Sequence, residues 1–338
     1  MVKLNNVVAA AIVFVAAGAM ASNFRVADQV YVPAAGHIGG SSGTFISDVF
    51  ISNLSTDPVS VSVIYASTAA GTQATFNNII QLTAGERREI VDFFPSVLGL
   101  QTGFGQLIFN GCKQGGNCTV GTCPGGDPTA GTCPDFRNIS VESRIYSIPP
   151  GTTLAQNPPT TGQLFSGLPW YNFVTSDASG VGLDKVFITG LRNNAGYRGN
   201  VGLVNASQFS TTTLVVKLFN GLTGAQIGST FQTTLAPLGH TQQNLGVIFP
   251  AFTGTTATNA YLTVEQTNTI SVTPPDPGCP TGCPAFFAYG SVLDNQSGDA
   301  TTLEPQYLQP LSGPAITCIY NPTTNCKTAV SIHRAVKH

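Results

Sequence analysis

The chain has 338 residues, a net charge of −2 at pH 7 and only 9% charged residues, against about 25% in a typical soluble domain. That balance leaves no basic field for nucleic acid and no polybasic patch for an anionic membrane. With 42% apolar residues falling in periodic runs, disorder throughout is excluded as well, and the length suits about two domains.

Lys3 precedes an apolar run from Val7 to Ala19, and Ala19-Met20-Ala21 has the small-x-small pattern of a signal-peptidase site. Residues 1–21 are therefore read as a cleaved export signal. The run falls short of the roughly 20 residues a spanning helix needs, so no integral span is expected after cleavage. The mature start, Asn23 to Val32, alternates like a strand and is the expected first strand of its domain. A sharper reading makes it a donor strand that completes a neighbour's sheet.

From there the chain spells one string of strands twice. The first copy reads TFISDVFISNLS (44–55), SVSVIY (60–65), IIQLTAGERREIVDFFP (79–95), GFGQLIF (103–109), a cysteine loop and ISVESRIYS (139–147). The second reads GYRGNVGLVNAS (196–207), LVVKLF (214–219), TTLAPLGHTQQNLGVIFP (233–250), NAYLTVE (259–265), a cysteine loop and AFFAYGSV (285–292). Apolar residues alternate with polar ones, as in Val61, Val63 and Tyr65 against Ser60 and Ser62, which predicts half-buried strands. A single helical turn is expected near Asp92 to Leu100 and again near Val247 to Phe252. The fold class expected is all-β: two tandem antiparallel Ig-like β-sandwich domains with disulfide-stapled loops, a closed barrel being the alternative. The domains are placed at 22–150 and 184–305. A Pro- and aromatic-rich connector occupies 151–183, and a tail with a cysteine loop occupies 306–338. Leu164, Phe165, Leu168, Trp170, Tyr171 and Phe173 give the connector too much apolar area for a solvated tether, so it is expected to pack between the domains.

Eight cysteines, Cys112, Cys118, Cys123, Cys133, Cys279, Cys283, Cys318 and Cys326, suit disulfides in an oxidising compartment. All are read as lying in loops or the tail rather than in strands. Proximity favours Cys279 with Cys283 and Cys318 with Cys326, leaving the other four to pair among themselves. No nucleophile elbow accompanies the four histidines, and no catalytic residue is assigned. No cofactor is expected. Calcium has one candidate site, the oxygen-rich turn with Asp294 and Asp299, whose alternative is a tight turn bonding its own backbone. Of five N-x-S/T sequons, Asn53 and Asn205 occupy the same place in the two copies, where a left-handed turn is expected. Trp170 and Tyr171 are the candidate ligand contacts, because Phe93, Phe94, Phe249, Phe252, Phe286, Phe287 and Tyr289 are read mostly as core shared by both copies.

Arg198, Asn200, Gly202, Leu203, Val204 and Asn205, with Tyr289, Ser291, Asp294, Asn295, Gly298 and Asp299, resemble the strand and turn motifs of a poorly characterised family of exported bacterial tandem β-sandwich proteins, frequent in acidobacteria. The first copy departs from it, with Ser47 and Asp48 in place of the arginine. The resemblance implies export and a β-rich fold. The expected role is that of a secreted, non-catalytic structural or adhesive protein of the cell surface or extracellular matrix. The expected partners are further copies of itself, in a filament built by strand addition, or an extracellular glycan.

Overall fold

The computed structural model describes residues 26–40, 43–68, 73–116, 118, 135–156, 158, 160–169, 185–207, 211–252, 258–267, 286–307, 315–321 and 326–332. For 307, 315–321 and 326–332 the description is of the backbone. The fold is all-β, every pairing is antiparallel, and no described helix is long and apolar enough to cross a membrane.

The first repeat holds β1 (Gln29–Gly40), β2 (Gly43–Asn53), β3 (Val59–Ser67), β4 (Gln73–Leu82), β5 (Arg87–Ile90), a helical turn (Phe94–Leu98), β6 (Gly103–Lys113), β7 (Ile139–Ile148), β8 (Thr161–Ser166) and β9 (Leu168–Pro169). The second holds β10 (Lys185–Leu191), β11 (Tyr197–Asn205), β12 (Thr212–Asn220), β13 (Phe231–Leu235), β14 (His240–Asn244), α1 (Leu245–Ile248), β15 (Ala260–Gln266), β16 (Phe286–Asp294), β17 (Ala300–Leu303) and β18 (Gln306–Tyr307). A last hairpin, β19 (Ala315–Asn321) and β20 (Cys326–Ile332), pairs only with itself among the described residues.

Strand order reproduces the repeat. In the first unit, sheet 1 runs β5-β2-β7-β8 and sheet 2 runs β4-β3-β6-β1-β9; in the second, sheet 3 runs β14-β11-β16-β17 and sheet 4 runs β13-β12-β15-β10-β18. Each strand of the first unit thus has its counterpart nine strands later, at the same place in the sheet. Sheets 1 and 2 are joined by β1, whose Gln29 to His37 pair with β6 while Ile38 to Gly40 pair with β2. The cores follow from alternation. Val49, Ile51 and Val141 of sheet 1 share one cluster with Val30, Val32, Val61, Val63, Leu107 and Phe109 of sheet 2. Val201, Leu203 and Phe286 of sheet 3 share another with Val186, Leu214, Val216 and Leu262 of sheet 4.

The connector contributes more order than a spacer. Residues 161–166 form edge strand β8 on β7, and 168–169 pair with β1 at Val30↔Pro169 and Tyr31↔Leu168. Proline is compatible with such short, marginal pairing. Phe165 and Leu168 are buried, but Leu164 is 48% exposed, so it does not pack as the sequence suggests. Cys112 lies within β6, and Cys318 and Cys326 lie in β19 and β20, correcting the expectation that every cysteine avoids strands. Cys112 closes the strand's end by bonding Cys118. Cys123, Cys133, Cys279 and Cys283 lie outside the described residues.

Asn53 and Asn205 end equivalent strands β2 and β11, and both are fully buried. Neither has the positive φ expected of a left-handed turn, which is confined among described non-glycine residues to Asn78, Asp92 and Leu238. Their amides bind instead. Asn53 Nδ2 donates to the Asp57 and Thr83 carbonyls at 2.8 and 2.9 Å, while Oδ1 accepts from the Ser55 amide and hydroxyl. Asn205 Nδ2 donates to the Leu235 and Ala236 carbonyls at 3.1 and 2.8 Å, while Oδ1 accepts from the Ser207 amide and Thr212 hydroxyl. Each side chain pins its strand to a turn 30 residues away in sequence, a separation seen in both units. Replacing either by alanine strands several buried groups, so Asn205→Ala is expected to cost roughly 2–4 kcal/mol of stability in urea denaturation. A loss below about 1 kcal/mol would show that the turn closes without it.

Candidate functional site: the seam between the two units

Tyr31 and Ile108 face each other across the β1–β6 pair, on the side of sheet 2 opposite its core partners Val30, Val32, Leu107 and Phe109. Alternation alone would leave them in solvent. Both are 0% exposed, because the outer face of sheet 3 covers them. Tyr31 meets the Phe287 ring edge-on at 5.8 Å, and Val204, Ala206, Leu238, Phe287 and Tyr289 of the second unit all join the first unit's core.

The seam also carries hydrogen bonds. Gln106 on β6, fully buried, donates through Nε2 to the Asn205 and Leu238 carbonyls at 3.2 and 2.6 Å. Ser291 Oγ donates to Gln163 Oε1 at 3.2 Å, Ser166 Oγ donates to Glu304 Oε1 at 3.1 Å, and Thr302 Oγ1 donates to the Leu164 carbonyl at 2.5 Å. Edge strand β8 therefore lies alongside edge strand β17. Apolar cover with directed polar contacts fixes one relative placement of the units, as in a well-packed domain interface.

Tyr289 is the centre of this seam. Its Cα partner across β11 is Gly202, and a Cβ there would lie 2.0 Å from the ring, so the glycine exists to let the ring lie flat on the sheet. The Phe165 ring contacts Tyr289 edge-on at 5.0 Å. The Tyr289 hydroxyl donates to Gln242 Oε1 at 3.1 Å and lies 3.1 Å from His240 Nε2. With the phenol proton directed at Gln242, Nε2 carries the imidazole proton and Nδ1 is a bare acceptor. Nδ1 is buried without a partner among the described residues. Phe104 lies against the His240 ring at 5.6 Å, and neither it nor Val204, Tyr289 or Gln242 carries charge. Burial therefore holds the imidazole pKa down at about 4 and pushes the Tyr289 phenol well above its usual range. Gln106 Oε1 and Gln163 Nε2 are likewise buried and unpaired among the described residues.

The motif residues converge on this half of the chain. Arg198 Nη1 donates to Asn295 Oδ1 at 2.9 Å, holding β11 to the turn after β16. In that turn Asp294 Oδ1 accepts from the Gln296 and Ser297 amides at 2.7 and 3.0 Å, which keeps its carboxyl below the usual range. The Asp299 amide donates to Ser297 Oγ. Asp294 and Ser297 thus engage their side-chain oxygens with the turn's own backbone, whereas Asn295 bonds Arg198 and the Asn194 and Ala195 carbonyls. Among the described residues no cluster of three metal-ligating side chains forms. Trp170 and Tyr171 lie outside the described residues.

A second polar group sits at the end of the first unit. His37 Nδ1 lies 2.9 Å from Asp92 Oδ1, while Asp48 Oδ1 accepts from the Asp92 amide at 2.9 Å and the Tyr146 hydroxyl at 3.1 Å. Arg144 lies over the Tyr146 ring at 4.5 Å. These contacts tie β1, β2 and β7 to the segment after β5, and the carboxylates are taken up in doing so.

Sequence reasoning missed His240, Gln106, Phe104 and Tyr31, and it assigned Phe287 and Tyr289 to shared core. Phe93, Phe94, Phe249, Phe252 and Phe286 are core. The other two are seam residues whose positions in the first unit, by strand register from Ile139 and Phe286, are Ser140 and Glu142. That contrast, apolar in one copy and polar in the other, was the readable signal.

No protein-family model matches the chain, and no curated protein matches it. Among solved structures it is similar to a Bacteroides uniformis beta-glucuronidase 2 covalently bound to cyclophellitol-6-carboxylate aziridine, at 10% identity and a TM-score of 0.13. It is also similar to a Bacteroides uniformis beta-glucuronidase, at 9% identity and a TM-score of 0.14. Both matches cover 77% of this chain and 24% of the enzyme. The chain spans about a quarter of the length of those proteins, and a likeness this loose carries no argument.

Proposed function

We propose that the chain is an exported, non-catalytic structural or adhesive protein of the cell surface or extracellular matrix, built of two Ig-like β-sandwich units. The observation that supports this reading is the seam. Two units that share a buried, hydrogen-bonded face behave as one stiff body, and stiffness with few surface charges suits a passive scaffold more than a reaction vessel. The neighbouring carboxylates are both engaged, Asp48 by the Asp92 amide and the Tyr146 hydroxyl and Asp92 by the His37 ring. Strand addition through the mature N-terminus is the weaker alternative, because Gln29 to Val32 are paired with β6 inside their own chain.

Secretion and adhesion are tested together. After expression of the full chain in a Gram-negative host, mass spectrometry of the extracellular fraction is expected to show cleavage after Ala21. Beads coated with that protein should adhere to bacterial matrix more than beads coated with a heat-denatured control. Cytosolic retention of the uncut chain, or equal adhesion of both bead types, would overturn the reading.

A further inference from the structure

The two units meet head to tail, so one equivalent face is left over. Sheet 4 stands in the second unit where sheet 2 stands in the first. The registers match position by position: Tyr31↔Ile108 and Ile64↔Ile108 in sheet 2 become Phe187↔Thr263 and Lys217↔Thr263 in sheet 4. The outer face of sheet 2 is buried by the second unit. That of sheet 4 keeps partly exposed rings, Phe187, Tyr261 and Phe219, in a row across three neighbouring strands. Phe219 and Tyr261 stack at 5.1 Å, and Phe187 lies 6.3 Å beyond Tyr261. Between Tyr261 and Glu265 lies Thr263, only 4% exposed, whose hydroxyl has no partner among the described residues. Phe219 and Tyr261 cover one face of each other, while Phe187 is tilted 32° from Tyr261.

The route of the chain points to what covers this row. In the first unit the chain leaves sheet 2 from β9, beside Tyr31, and the next unit along the chain builds the cover. In the second it leaves sheet 4 from β18, beside Phe187, with Val186↔Tyr307 and Phe187↔Gln306 in the corresponding register. The next described element along the chain is the hairpin β19–β20, which pairs with no other strand among the described residues. An isolated two-stranded hairpin is marginally stable in water and needs a packing surface. Its register places Ile319, Val330 and Ile332 on one face for such packing. Residues 308–314 reach roughly 23 Å when extended, whereas a five-stranded sheet is about 19 Å across. We infer that the hairpin Ala315–Ile332 docks on the outer face of sheet 4, covering Phe187, Tyr261 and Phe219.

Hydroxyl-radical footprinting with mass spectrometry tests this in three proteins: residues 22–338, a truncation ending at Tyr307, and the full-length double variant Ile319→Asp/Val330→Asp. The double variant keeps the chain intact should the truncation fold poorly. Oxidation of Phe187, Tyr261 and Phe219, normalised to the 83% exposed Leu222, is expected to rise about fivefold in both altered proteins, in line with loss of a cover rather than of the sheet. Equal oxidation in all three overturns the proposal. So does protection that appears only at concentrations where light scattering shows a dimer, since the cover is then a second copy.

Discussion

Acidification from pH 7 to pH 4 is expected to lower the unfolding free energy of this protein by roughly 3 kcal/mol more than it lowers that of His240→Gln, at about 1.4 kcal/mol per pH unit of pKa difference. The folded imidazole titrates at about 4 against 6.5 when free, so the unfolded chain binds the extra proton throughout that interval. Stability from the neutral ring is complete above pH 6.5, falls as the pH drops below it, and levels off below pH 4. The proton would go to Nδ1, which has no acceptor among the described residues, on a ring packed beside an aromatic ring and a phenol. Glutamine can still meet the Tyr289 hydroxyl and carries no such penalty. Partly exposed carboxylates held low by partners, Asp57 by Arg137, Glu86 by Thr83 and Arg88, and Asp294 by its turn, also weaken the fold in acid. Both proteins share them, so urea denaturation of the pair from pH 7.5 to pH 4 isolates His240. Parallel curves would mean that water reaches the seam and that the histidine is not desolvated.

Gly202→Ala should cost roughly 4 kcal/mol of stability, because it forces a buried ring out of its packing and its hydrogen bonds together. The added Cβ would lie 2.0 to 2.6 Å from three ring atoms of Tyr289, and the ring is held by Gln242, His240 and Phe165. Gly39→Ala serves as the control, for nothing lies within 4 Å of a Cβ there, and it should change stability by less than about 0.5 kcal/mol. Adding Tyr289→Ala to Gly202→Ala should cost far less than the sum of the single losses, since the clash disappears with the ring. Additive losses in thermal or urea denaturation would place the strain elsewhere.

The strand string was legible because each strand is buried on one face, so apolar residues recur with period two and turn residues separate them. Its duplication predicts the equivalence of β2 with β11 and of β7 with β16 that the strand orders display. What escaped were β8, β9, β17 and β18. These edge strands run two to six residues, too short for a periodic signal, and they are ordered by what they pair with. The seam escaped for a different reason. A sheet buried on both faces reads as a continuous apolar run, and Phe286 to Tyr289 is such a run, but it was counted as shared core instead of being compared with Ser140 and Glu142. The buried asparagines were located correctly as repeat features and explained by the wrong property, backbone tolerance in place of amide bonding.

The placement of β1 decides how the protein answers tension. A pull on the N-terminus acts along a strand paired on one flank at seven positions with β6 and on the other with β9, so those contacts are loaded in shear and must give way together. A pull transmitted through residue 308 meets β18, held by two pairs, which peel one after the other. The chain is therefore mechanically polar, strong at its start and yielding at its end, and forced extension should release β18 at low load while the first unit holds.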